Sequence, residues 1–173
     1  MKYILLLLLA LTVTFSSCEK DDICDAATST TPRLIINFYD FNNPTTAKPV
    51  TDLTIIAEGM TEGVTFNSST LINGSTVAIP LMTTADKVKF KFILNYENTD
   101  TSLTNEDDIE FFYTRTTVFI SRACGYATNY ELNKTTPYTL TDAAIADEKW
   151  IQEIVVLTRS ITNENETHIE IYH

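Results

Sequence analysis

From residue 87 the chain alternates: Lys87, Lys89 and Lys91 are interleaved with Val88, Phe90 and Phe92, and Leu94 and Tyr96 continue the apolar row. A repeat of two places neighbouring side chains on opposite faces of a strand. One face is therefore charged and the other needs a covering layer, as in an antiparallel sheet with one solvated side.

Other segments carry the same signature in shorter form, at 33–41, 52–57, 75–81, 109–114, 116–121, 129–132, 150–161 and 167–172. They are rich in Thr, Ile, Val, Phe and Tyr and are separated by turn material such as Asn42-Asn43-Pro44, Asn73-Gly74 and Asn163-Glu164-Asn165. Residues 142–149, with Thr141 as a cap, form nearly the only helical candidate. With no strand-helix alternation, the expected fold is an all-β antiparallel sandwich, Ig-like or related, of eight or nine strands and at most one short helix. Leu34, Ile36 and Phe38 on one face and Ile35, Tyr39 and Phe41 on the other place the 33–41 strand centrally, with both faces partly covered. The scarcity of glycine, four in the whole chain, disfavours a strongly coiled small barrel.

The amino terminus follows another logic. One charge at Lys2, an apolar run from Ile4 to Leu11 and a polar, small-residue stretch to Ser17 have the layout of a signal peptide. The run is too short for a membrane-spanning helix, which needs about 20 apolar residues. Phe15-Ser16-Ser17-Cys18 resembles a bacterial lipobox, with Phe15 in place of the usual Leu, so Cys18 is the expected site of lipidation. Acyl chains there, each buried methylene contributing about 0.8 kcal/mol, would hold the mature chain on a membrane. The resulting division is a signal peptide over 1–17, a lipidated flexible tether over 18–32 and one β domain over 33–173.

Removing the first 17 of 173 residues leaves 156, enough for one domain that buries roughly 70% of its unfolded surface. The mature chain carries 11 basic and 23 acidic residues, a balance of −12. Such a chain is expected to be repelled by a nucleic-acid backbone or an anionic membrane surface, and no basic stripe interrupts the pattern. Cys24 and Cys124 remain once Cys18 is committed to lipid, and outside the reducing cytosol their natural state is a disulfide. Two free buried thiols or a two-cysteine metal site are the alternatives; no CxxC pair or His-Cys cluster accompanies them.

Chemistry-bearing patterns are sparse. No GxSxG elbow, HExxH helix, GxGxxG turn or P-loop occurs. His168 and Glu170 share a strand face and could make half of a metal site, but no third ligand can be named, and two polar residues on the solvated face of an edge strand account for them better. Residues 95–110 hold six carboxylates, but Leu103 and Ile109 occupy positions where an EF-hand needs Gly and Glu, so a solvated acidic loop is expected. Aromatic residues gather from Phe111 to Tyr130. Core packing is the default for them, while Phe112 and Tyr126 are the candidates for a binding surface. No metal or cofactor is implied.

The segments Cys18-Glu19-Lys20-Asp21-Asp22-Ile23-Cys24, Thr31-Pro32-Arg33-Leu34-Ile35-Ile36-Asn37-Phe38-Tyr39-Asp40 and Ala123-Cys124-Gly125-Tyr126 resemble a lipoprotein family of Bacteroidota, especially flavobacteria, whose function is unknown. The resemblance implies a cell-envelope lipoprotein and transfers no catalytic residue. Lys20-Asp21-Asp22 looks like the signal that sends such lipoproteins to the outer face of the outer membrane, with a periplasm-facing position as the alternative. The function expected is that of a non-enzymatic lipoprotein whose β domain meets an envelope protein or plays a structural role. A glycan- or small-molecule-binding module and a hydrolase with an unrecognised site are the competing classes.

Overall fold

The computed structural model describes residues 23–25, 28 and 30–173. Among them eleven strands form a two-sheet sandwich, where the sequence led us to expect eight or nine. The smaller sheet has the order β4 (Thr76–Ile79), β1 (Leu34–Tyr39), β11 (Ile169–Tyr172) and β9 (Glu153–Val156). The larger runs β10 (Ser160–Ile161), β7 (Gly125–Leu132), β6 (Asn105–Ser121), β5 (Lys87–Leu94), β2 (Val50–Ala57) and β3 (Ile72–Gly74), with β8 (Tyr138–Asp142) also on β6. Every pairing is antiparallel except β1 with β11.

The alternation that opened the sequence reading does what its chemistry requires. On β5, Val88, Phe90 and Phe92 are buried, and they join Leu53, Ile55, Ile109 and Phe111 of the larger sheet and Leu34, Ile36, Phe38, Ile169 and Ile171 of the smaller one in a single core. Full burial of each such side chain contributes about 1.5–3 kcal/mol before chain entropy is set against it. β1 lies inside its sheet, its inner residues fully buried and its outer ones half-buried.

Four local expectations are corrected. The two strands expected at 109–114 and 116–121 are one strand of 17 residues. The 150–161 strand is broken into β9 and β10. The short strands β3 and β8 had no counterpart in the expected set, and Asn73-Gly74, read as a turn, lies in β3. Finally, no helix forms over 142–149; the regular helical structure among the described residues is one 3₁₀ turn, Thr101–Leu103. The physical reason lies in tertiary partners. Asp142 Oδ1 accepts from Ala143 N–H at 2.8 Å, Asp147 accepts from Glu106 N–H at 3.2 Å, and Asn105 donates to the carbonyls of Asp147 and Glu148. Glu148 adopts φ 68°, which no right-handed helix accommodates. The segment instead crosses from one sheet to the other, closing the sandwich with Trp150 and Ile151, both buried.

Candidate functional site

β6 is the element that departs most from a plain sandwich. Its first part pairs with β5 across 105–112 and with β8 across 107–111, whereas beyond Phe112 its partner strand is β7, as far as Ser121 opposite Gly125. β10 flanks β7 at Tyr130 and Glu131, the partners of Arg115 and Thr114, so residues 116–121 and their β7 partners form a two-stranded arm, roughly 20 Å long at 3.3 Å per residue. Thr114, Thr116, Thr117 and Val118 suit an extended backbone without asking for burial. The hairpin turns through Arg122, Ala123 and Cys124; Ser121 Oγ accepts from Cys124 N–H at 3.0 Å, and Gly125 supplies the left-handed φ of 72° that closes it.

At this tip Cys124 is disulfide-bonded to Cys24, with Cα atoms 4.9 Å apart. The chain returning from Cys24 meets the arm again where Thr31 Oγ1 accepts from Thr128 N–H at 3.0 Å. It then enters the domain at Arg33, whose guanidinium and backbone N–H both engage the Glu164 carboxylate. That contact raises the arginine pKa and lowers that of the carboxyl, chiefly through the hydrogen bonds between them. The segment read as a flexible tether is thus held to the domain at Cys24 and Thr31, just before Arg33. Cys18, Lys20, Asp21 and Asp22 lie outside the described residues.

Aromatic side chains partition along the arm. Phe111, Tyr113 and Tyr130 are core, but Phe119 is 57% and Tyr126 71% exposed, and their rings meet edge-on with centroids 5.4 Å apart. Phe119 pairs with Tyr126 and Tyr113 with Leu132, so the exposed rings continue the row that is buried in the body. Phe112 has the opposite parity and is half-buried. The two residues singled out from sequence, Phe112 and Tyr126, therefore face opposite sides of the ribbon, and Phe119 is the neighbour that sequence reasoning passed over. A signal existed: Phe119 and Tyr126 sit symmetrically about a turn marked by Gly125.

The acidic stretch is a loop only as far as Thr104, with Glu97 and Asp100 in it; from Asn105 it is strand β6. Glu106, Asp108 and Glu110 repeat every two residues on β6 and pair with Lys91, Lys89 and Lys87 at 2.6, 2.7 and 2.8 Å. Each of these raises the lysine pKa, the side-chain hydrogen bond being the largest cause. Asp107, between them, points inward and is fully buried, its Oδ2 accepting from Ile151 N–H at 2.8 Å while Oδ1 has no partner. Burial pushes its pKa up to about 6, against the lowering effect of the Ile151 N–H. With no surface open to a substrate, its evident role is to hold the crossover that ends at Ile151.

His168 overturns the expectation of a solvated edge position. It is fully buried, precedes β11 inside the smaller sheet, and accepts from Ile35 N–H through Nδ1 at 2.9 Å, so Nε2 carries the proton of the neutral ring. Burial lowers its pKa. Among the described residues no three His, Cys, Asp or Glu side chains come together to hold a metal. An open apolar groove of about 390 Å³ lies at the end of the sandwich, lined in part by Met60, Val64, Pro80, Leu81 and Met82.

Residues 52–173 match the model of a family of unknown function, DUF6452. The chain belongs to DUF6452. No curated protein and no solved structure matched it. The DUF6452 match contains the whole arm, Cys124 and both histidines, while Cys24 and β1 precede its first residue.

Proposed function

We propose that this DUF6452 member is a non-enzymatic lipoprotein of the bacterial cell envelope, anchored through acylated Cys18, which presents a rigid β domain to a partner in the envelope with the hairpin arm as its contact element. The observation that carries the reading is the Cys24–Cys124 bond. Cys24 follows the lipobox cysteine by six residues, so the disulfide ties the anchor's own tether to the domain and leaves little slack between them. A tether built only to release a domain into solvent would gain nothing from such a staple. In this proposal the origin is a Bacteroidota outer membrane, with Lys20-Asp21-Asp22 directing the protein to the cell surface.

Metabolic labelling with an alkyne fatty acid tests the anchor: the wild type takes up label and Cys18→Ala does not, and equal labelling of the two rejects the proposal. Replacing Lys20, Asp21 and Asp22 by Ala lowers digestion of the protein by protease added to intact cells; unchanged digestion removes the surface assignment.

A second reading rests on the groove beside Met60 and Met82, whose apolar lining suits a small apolar ligand better than a glycan. An apolar fluorescent probe binds the wild type and loses affinity for Met82→Lys if the groove is a ligand site; equal binding dismisses it.

A further inference from the structure

We infer that the tip of the β6–β7 arm docks on the lipid surface itself, with Phe119, Tyr126 and Ile23 reaching the headgroup region and the sandwich standing away from the bilayer. This rests on lipidation of Cys18 and assigns the tip of the arm to lipid, leaving the rest of the β domain to face a protein partner.

Reach comes first. Five residues separate Cys18 from Cys24, six steps of chain that span at most about 22 Å when fully extended. Cys24 is bonded to the turn of the arm, so that turn is the part of the described domain held nearest the acyl chains along the covalent path. The opposite end of β6 lies some 50 Å further on at strand rise.

Surface chemistry at the tip agrees with that placement. Ile23 is 82% exposed beside the disulfide, and Phe119 and Tyr126 are exposed on one face of the ribbon. Together they gather large apolar side chains where the sheet has no second layer to cover them. Tyrosine, with an apolar ring and a polar hydroxyl, is suited to the boundary between acyl chains and water. Negative charge also thins out along the arm. The whole chain carries −11, yet from Phe111 to Tyr130 there is no acidic residue; Arg115 is paired with Asp86, Arg122 stands at the turn, and Asp25 follows Cys24 in the segment bonded to it. Arg122 is exposed at the turn, where its guanidinium can pair with lipid phosphate.

The test uses full-length lipidated protein purified from membranes, with acylation of Cys18 verified by mass, in vesicles of phosphatidylethanolamine with a minor share of phosphatidylglycerol. Tyr126→Trp places a fluorophore at the tip; Ile145→Trp places one on the crossover near the far end of β6, 88% exposed. Buried Trp150 is a common background to both. Brominated lipids should quench most of the emission added at position 126 and leave that at 145 unchanged. Quenching at neither position, or equally at both, in acylated protein overturns the docking inference and leaves the anchor proposal standing. Protein recovered without acyl groups on Cys18 overturns both. A cross-link from position 126 to a protein in native membranes, without quenching in vesicles, assigns the tip to that protein and rejects the lipid surface.

Discussion

In the first half of β6, Asp107, Asp108, Ile109, Phe111 and Tyr113 are buried; in the second half Thr114, Arg115, Thr116, Thr117 and Phe119 are exposed. The backbone pairing continues through both, and composition alone would not separate them, since each half contains aromatic and β-branched residues. The difference is what lies on either side. The pairing with β5 stops at Phe112 and that with β8 at Phe111, so the same strand passes from a core into an arm. Side-chain burial, and with it energetic weight, is conferred by neighbours distant in sequence rather than by the strand's own residues.

The largest expected effect tests that contrast directly. Phe111→Ala opens a cavity between the sheets and lowers unfolding free energy by about 3–5 kcal/mol. Thr117→Ala, six residues along the same strand, changes it by less than about 0.5 kcal/mol. Urea unfolding of the two variants measures both, and comparable losses would mean that the arm is packed as the body is.

Asp107 sharpens the comparison by pH. Its pKa is raised in the folded state, so the native protein holds this proton up to about pH 6 while the unfolded chain releases it near pH 4. Stability from this group is complete below pH 4 and falls as pH rises through that window, by roughly 3 kcal/mol once the carboxylate is ionised. Asp107→Asn keeps an acceptor for Ile151 N–H and should be more stable than wild type by up to that amount at neutral pH, with the two converging near pH 4. Melting curves across pH 4–7 decide it; parallel curves would show that Asp107 does not titrate there. His168 acts in the other direction. Its lowered pKa makes the folded state resist protonation, so its contribution is present above the ordinary imidazole value and is lost as pH falls below it. Comparing Asp107→Asn with wild type cancels this opposing trend.

These buried polar groups also mark where sequence reasoning reaches its limit. The β5 alternation was legible because Lys and Phe at a spacing of two admit one reading. Glu106, Asp108 and Glu110 have the same spacing, yet they follow a run of Asn, Thr and Asp that reads as loop, and only the lysine row on β5 explains why carboxylates stand in a strand. His168 and Asp107 have side chains that ordinarily seek water; their burial depends on Ile35 and Ile151 N–H groups 133 and 44 positions away. The expected helix over 142–149 failed for a related reason, its local propensity yielding to hydrogen bonds with the start of β6. At the candidate site the Cys24–Cys124 pairing and the exposed Tyr126 were within reach of sequence, whereas the arm was not, because its length is set by where other strands stop.

Reduction of the disulfide comes next in size. Chain-entropy reasoning for a loop of 100 residues gives about 4.7 kcal/mol. Here the reduced native state also gains freedom, since the released segment before Arg33 and the two-stranded tip are both lightly packed. We expect a loss nearer 2 kcal/mol, at the low end of the usual range. Cys24→Ser/Cys124→Ser measured by urea unfolding reads it. A loss close to the full loop value would indicate that the tether and tip stay ordered without the bond, in conflict with an arm that depends on its staple.

The smallest effect is expected from the residues that matter most for contact. Phe119 and Tyr126 meet edge-on, an arrangement worth about 0.5–1.5 kcal/mol beyond area burial when enclosed and least when the rings are open to solvent. With both rings more exposed than buried, Phe119→Ser/Tyr126→Ser should lower stability by about 0.5 kcal/mol, a shift of some 2 °C in melting temperature for a domain of this size. Tyr130→Ser, four residues further along β7, removes a buried ring and its hydrogen bond to the Leu81 carbonyl and should lower stability several-fold more. If the tip variant melts as low as the Tyr130 variant, Phe119 and Tyr126 are serving the fold, and neither is free to serve a surface. If it melts near wild type, two large apolar side chains have been kept in solvent with almost no return in stability, and their reason lies in what the arm touches.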